Sequence, residues 1–238
     1  VFVHGALTGL AERGFRADAY AASSSSTIPA AFAAAGRLDL FGLDYWAGFL
    51  RLVQERGEVS AAVIESGRTA AALLRSMLFR PEAARFLVAA SAVIDPEAAV
   101  LTQGEGARRL GLQLVISIRR KDSSWAERNL SLVLFDTRAP SPQRRLTPDN
   151  LEAVGYATTR LLHAWKIPAW VDGVAYVDAS YTCSCPAVEM AQEGYDRVIA
   201  ISPEPGELYR DFFQSRVVPD SWRGSPIDFI KPDIDLSE

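Results

Sequence analysis

Hydrophobic positions along the chain fall into short periodic segments separated by glycine, proline and polar clusters. Gly5 to Arg13 carries Leu7, Leu10 and Ala11 at helical spacing and meets a stop at Gly14. Asp18 to Ala22 is a short apolar run that predicts a buried strand. Four serines and a threonine follow, and Pro29 sits where the first turn of a helix accepts it, so a helix is expected to about Ala35, ending at Gly36. From 44 to 110 the pattern predicts mainly helix, in pieces at Tyr45–Glu55, Ala61–Leu78, Pro81–Val93 and near Glu97–Arg109. Leu112–Ile118 and Leu130–Phe135 read as strands, with the polar stretch Lys121–Asn129 as a hairpin-like connection. Residues 138–147, rich in Pro, Ser and Arg, read as a surface loop. A helix is predicted over Pro148–Trp165. Asp172-Gly173 predicts the turn of a hairpin between Trp170 and Tyr176. A helix at Ala187–Glu193 and a strand at Arg197–Ser202 follow, and the segment after Pro203 reads as an irregular tail.

Helices alternating with strands predict an α/β fold of three layers, α/β/α, around a mainly parallel sheet. The length of 238 residues accommodates one domain, taken as 1–238. Apolar residues are 49% and charged residues 23%, a globular composition. The net charge of −4 disfavours a nucleic-acid partner, which would want a basic face. No apolar run approaches the roughly 18–20 residues of a membrane span, which leaves peripheral contact with a membrane and the oligomeric state open. Cys183 and Cys185 are too close in sequence for an unstrained mutual disulfide. Read as free thiols, they suit a reducing compartment, and a cytoplasmic protein is expected. With no histidine near them in sequence, no metal site is expected, and no organic cofactor is implied.

The segment with chemical content is the strand, serine run and helix at 18–35. A sharp strand-to-helix turn lifts its residue to the end of a strand, beside the positive end of the following helix and its backbone N–H donors. Periodicity alone does not choose among Ser23, Ser24, Ser25 and Ser26. The stretch from Asp18 through Ala22-Ser23-Ser24-Ser25-Ser26 to Ala31-Phe32 resembles the patatin-like pattern D-x-x-x-G-x-S-x-G-A-L-x-A-A-L. Gly5-Ala6-Leu7 to Gly14 resembles the helix that precedes it. Tyr176-Val177-Asp178-Ala179-Ser180, followed by Pro186, resembles the Y-V-D-G-[GA] signature, and Ile199-Ala200-Ile201 is similar to the next strand of that family. The resemblance covers both ends of the chain well and the middle weakly.

It implies acyl transfer by a Ser–Asp dyad without a catalytic histidine, with Ser24 as nucleophile and Asp178 as its proton acceptor, acting on a lipid or other small acyl substrate. Transfer or cyclisation by the same dyad, or a non-catalytic binding role, are the alternatives. The two histidines are His4 and His163; His163 is read as a packing or surface residue. The resemblance also implies a glycine-rich oxyanion loop just ahead of Val1. Ala22, Ser26 and Ala179 stand where the family has glycine, so crowding at the turn is expected, and Ser26→Gly is expected to raise activity. Phe41, Tyr45, Trp46 and Phe49 are read as core packing, with the lining of an acyl pocket as the alternative.

Overall fold

The computed structural model describes residues 1–234; the last residues of the expected 1–238 domain lie outside it. Nine helices occur among the described residues: α1 Phe2–Glu12, α2 Thr27–Ala34, α3 Leu43–Arg56, α4 Val59–Leu74, α5 Pro96–Gln103, α6 Ala107–Arg119, α7 Ser124–Asn129, α8 Leu151–Ala157 and α9 Ala187–Gln192. Eight strands accompany them: β1 Ala19–Ala22, β2 Arg85–Val93, β3 Leu130–Asp136, β4 Trp170–Val171, β5 Val174–Val177, β6 Val198–Ile201, β7 Ser221–Trp222 and β8 Ser225–Ile230.

β2 organises the molecule. Its side chains alternate between two cores. Phe86, Val88, Ala90 and Ala92 pack with Phe32, Leu74 and Val154, whereas Leu87 and Ala89 pack with Val188, Val198 and Ile227. Helices α2, α4 and α8 thus lie against one face, and α9 with the second sheet against the other. Because both faces are buried, the strand reads as a near-continuous apolar run interrupted only at Ser91, and its alanines predict the helix expected at Pro81–Val93. The opposite exchange occurs at Leu112–Ile118. This β-branched run is the second half of α6, whose buried positions Ala107, Leu110, Gly111 and Leu114 keep helical spacing. Gly111 is required there, since a Cβ would come within 2.2 Å of the His163 backbone nitrogen. The polar connection at Lys121–Asn129 closes into α7 rather than a hairpin turn.

The sheet around β2 is mixed rather than mainly parallel. β1 pairs with it in parallel at 85–88, while β3 pairs antiparallel at 87–93 and β5 antiparallel at 91–92. A strand has two edges, and β3 overlaps both of the other partners, so β1 and β5 share the remaining edge and lie end to end along it. Their facing ends leave Ala89 and Ala90 unpaired on that edge.

β4 and β5 form the expected hairpin, with Asp172 and Gly173 at φ +49 and +78. The segment after Pro203 is less irregular than its composition suggests. β8 pairs in parallel with β6 and turns back on β7 through Arg223-Gly224, at φ +49 and +92. No described helix is long and apolar enough to cross a membrane.

Candidate active site

Ser23 closes β1 in extended conformation (φ −133), and Ser24 turns the chain with φ +49. A non-glycine residue held there is strained by roughly 1–3 kcal/mol, so the turn persists only because its surroundings fix it. Three contacts do so. The Ser26 hydroxyl donates to the Ser23 carbonyl (2.7 Å) and accepts from the Ser23 amide (3.3 Å). The Ser23 hydroxyl donates to the Ser184 carbonyl at 2.5 Å. The Ser24 amide donates to Thr158 Oγ1 at 2.8 Å. One turn of 3₁₀ helix over Ser24–Ser26 then runs into α2.

Ser26 has φ −75, and neither Ala22 nor Ala179 has positive φ. The strained position is Ser24 itself. The Ser26 side chain, where crowding is expected from the sequence, makes the two bonds to Ser23 that staple the turn.

Asp178 ends β5 and is fully buried. Its Oδ2 accepts a hydrogen bond from Ser24 Oγ at 2.9 Å, and its Oδ1 accepts from the Ser180 amide at 2.8 Å. Burial pushes this carboxyl up from its usual value to about 6, against the pull of the bonds from Ser180 and Ser24. The two residues singled out in the sequence, 154 positions apart, are therefore within hydrogen-bond reach. They meet across the gap between the ends of β1 and β5.

Three further residues complete the frame, and none was marked in the sequence. Thr158 Oγ1 donates to the Ala89 carbonyl at 2.6 Å while holding the Ser24 amide. Ser91 Oγ donates to the Asp178 carbonyl at 2.8 Å. Arg160, fully buried, donates from Nε to the Ile167 carbonyl (2.7 Å) and from Nη2 to the Thr102 carbonyl (2.9 Å), and its own carbonyl accepts the Asp178 amide at 2.9 Å. The helix expected to Trp165 stops at Ala157. Thr158 caps it, still helical at φ −64 and donating to the Val154 carbonyl, and the chain turns away from the helix only after it. A threonine or arginine inside a helical pattern carries no signal of such a role.

Ser24 faces a cleft of about 870 Å³. Residues of α1, β1, α9 and β6, with Leu208, Tyr209, Asp211, Phe212 and Gln214, line it. Among the described residues, the edge of β1 away from β2 and the edge of β6 away from β8 pair with no strand, and both strands border this cleft. Apolar side chains along it include Val3, Leu7, Leu10, Phe15, Ile118 and Met190.

The aromatic cluster lies elsewhere. Phe41 is buried, stacks on Phe32 (5.2 Å between centroids) and touches Tyr45 and Trp46 at 4.7 and 5.5 Å, so it packs the core and does not line this cleft. The bonds to the Asp178 carboxylate come from Ser24 and Ser180, not from His163, whose Nδ1 is buried without a partner. Cys183 and Cys185 are free, and burial pushes both thiols up, to about 11 for Cys185, so neither is an activated nucleophile. Among the described residues, no group of His, Cys, Asp and Glu has the arrangement of a metal site.

No protein-family model matches the chain, and no curated protein is significantly similar to it in sequence.

Proposed function

We propose that the chain is a patatin-like serine acyl hydrolase of three-layer α/β/α architecture that cleaves an ester of a lipid or other small acyl substrate through a Ser24–Asp178 dyad. The observation that carries this reading is the 2.9 Å hydrogen bond from Ser24 Oγ, at a strained turn open to a cleft, to a fully buried carboxylate. A solvated aspartate is too weak a base to assist a serine at neutral pH. Burial that raises Asp178 to about 6 narrows the mismatch and leaves the group ionised at pH 7.

In the first half-reaction Ser24 Oγ attacks the acyl carbonyl as its proton passes to Asp178 Oδ2. The tetrahedral oxyanion collapses to an acyl-serine, and Asp178 returns the proton to the departing alcohol. Water, activated by the same carboxylate, then releases the acid. The Ser24 amide is committed to Thr158 and the Ser26 amide to the Ser23 carbonyl (3.2 Å), so the Ser25 amide is the donor left beside the nucleophile for the oxyanion, at the positive end of α2. The apolar side chains along the cleft support an acyl group as ligand.

A fluorophosphonate probe tests the reading. The expected result is labelling of the wild type at Ser24 and none of Ser24→Ala. A folded wild-type protein that stays unlabelled would reject acyl-transfer chemistry and favour a binding role for the cleft.

A further inference from the structure

Resting on the acyl-transfer reading, the geometry points to Thr158 as the positioning residue of the dyad, setting the height of Ser24 against Asp178 through β2. Thr158 is fully buried, so its hydroxyl has no water to exchange with. Its single proton is given to the Ala89 carbonyl at 2.6 Å, in the stretch of β2 edge that neither β1 nor β5 covers. With that proton committed, the oxygen can only accept, and it accepts the Ser24 amide at 2.8 Å. The strained residue of the turn is thereby tied to the central strand through one side-chain atom.

The same segment holds the other partner. The Thr158 carbonyl accepts the Ala179 amide at 3.1 Å, and the Arg160 carbonyl accepts the Asp178 amide at 2.9 Å. Two adjacent β-ladders have a gap between them, and residues 158–160 bridge it, one side to the nucleophile and the other to the carboxylate. Without the hydroxyl, the Ser24 amide and the Ala89 carbonyl are both left unpaired in a buried place, and the turn is free to relax from φ +49. Relaxation by about 1 Å would take Ser24 Oγ out of line with Asp178, a displacement that costs on the order of 100-fold in rate.

Thr158→Val keeps the shape and removes the hydroxyl, whereas Thr158→Ser keeps it. Two readouts apply: the rate of fluorophosphonate labelling for both variants, and, for these and for Ser24→Ala, the pH titration of the Asp178 carboxyl followed by carbon-13 NMR. The bond from Ser24 holds the Asp178 titration down, so its loss moves the titration to higher pH. Thr158→Val is expected to label about 10- to 100-fold more slowly and to shift the Asp178 titration upward, in the same direction as Ser24→Ala. Thr158→Ser is expected to restore both. A Thr158→Val protein that titrates at the wild-type pH overturns the proposal, as does a serine variant no better than valine.

Unlabelled wild type would sink the hydrolase reading, and the titration would still decide the role of Thr158. Should valine prevent folding, amide hydrogen exchange on the wild type decides instead: the Ser24 amide is expected to exchange at least about 10-fold more slowly than the Ser25 amide, and equal rates overturn the proposal.

Discussion

The two turns that meet at the site are built alike and finished differently. Each follows a four-residue strand, β1 or β5, along the same edge of β2, and each opens one turn of 3₁₀ helix. At Ser24 the backbone is strained, with φ +49, and the side chain is only partly buried, on the wall of a cleft. At Asp178 the backbone is relaxed, with φ −48, and the side chain is sealed from solvent. Access and conformational strain fall on one residue, and desolvation falls on the other. Under the proposed reading this separation is what a dyad requires. A nucleophile must reach substrate, while a carboxylate must lose water before it becomes a useful base.

Breaking the desolvated side gives the largest effect after removal of Ser24. Asp178→Asn keeps the size and the bond from the Ser180 amide, and is expected to slow fluorophosphonate labelling by about 10²–10⁴-fold. In the wild type, labelling is expected to rise as pH passes upward through about 6, when Asp178 ionises; a flat profile from pH 5 to 8 would remove Asp178 as the base.

The same substitution sharpens the comparison through stability. The carboxyl titrates near 6 when folded and near its ordinary 3.8 when unfolded, so the folded state binds this proton more tightly. Its contribution is fully present below pH 3.8 and is lost as pH rises through 6, leaving a penalty of about 3 kcal/mol at neutral pH. Asp178→Asn is therefore expected to be more stable than the wild type in denaturant titrations at pH 8, with the difference fading toward pH 4. On the strained side the effect is smaller. Ser24→Gly is expected to be about 1 kcal/mol more stable than Ser24→Ala, because only glycine relieves the positive φ. Smaller again, Ser26→Gly is expected to lower stability by roughly 0.5 kcal/mol through loss of its bonds to Ser23; a rise in the melting temperature would restore the crowding account.

Sequence patterning located the serine turn, the β4–β5 hairpin, β3, α9 and β6, all of which carry local signals: a stop at a glycine, an Asp-Gly turn or a bounded apolar run. It exchanged helix and strand at β2 and α6. A strand buried on both faces has no alternation to read, and the β-branched residues of α6 mask a helical stripe that only its packing reveals. Arg223-Gly224, the turn of the β7–β8 hairpin, was a usable signal that the composition of the tail obscured. Among the four serines, choosing Ser24 needed the register of the stretch from Asp18 to Phe32 on the pattern it resembles, since periodicity alone does not separate it from its neighbours. Thr158, Arg160 and Ser91 were beyond reach. Their roles depend on which strand lies opposite them, and the bonds made at 158–160 cross the fold rather than follow the helical pattern.

The distance in sequence between Ser24 and Asp178 also has a meaning in time. During synthesis the serine leaves the ribosome while its partner is still 154 codons away, an interval of roughly 8–30 s at ordinary elongation rates. Until β5 docks against β2, the nascent chain carries an ordinary hydroxyl with no base beside it. Under the proposed reading, reactivity at Ser24 marks the closing of this 154-residue loop, so a probe that labels this serine would also report how far a newly made chain has folded.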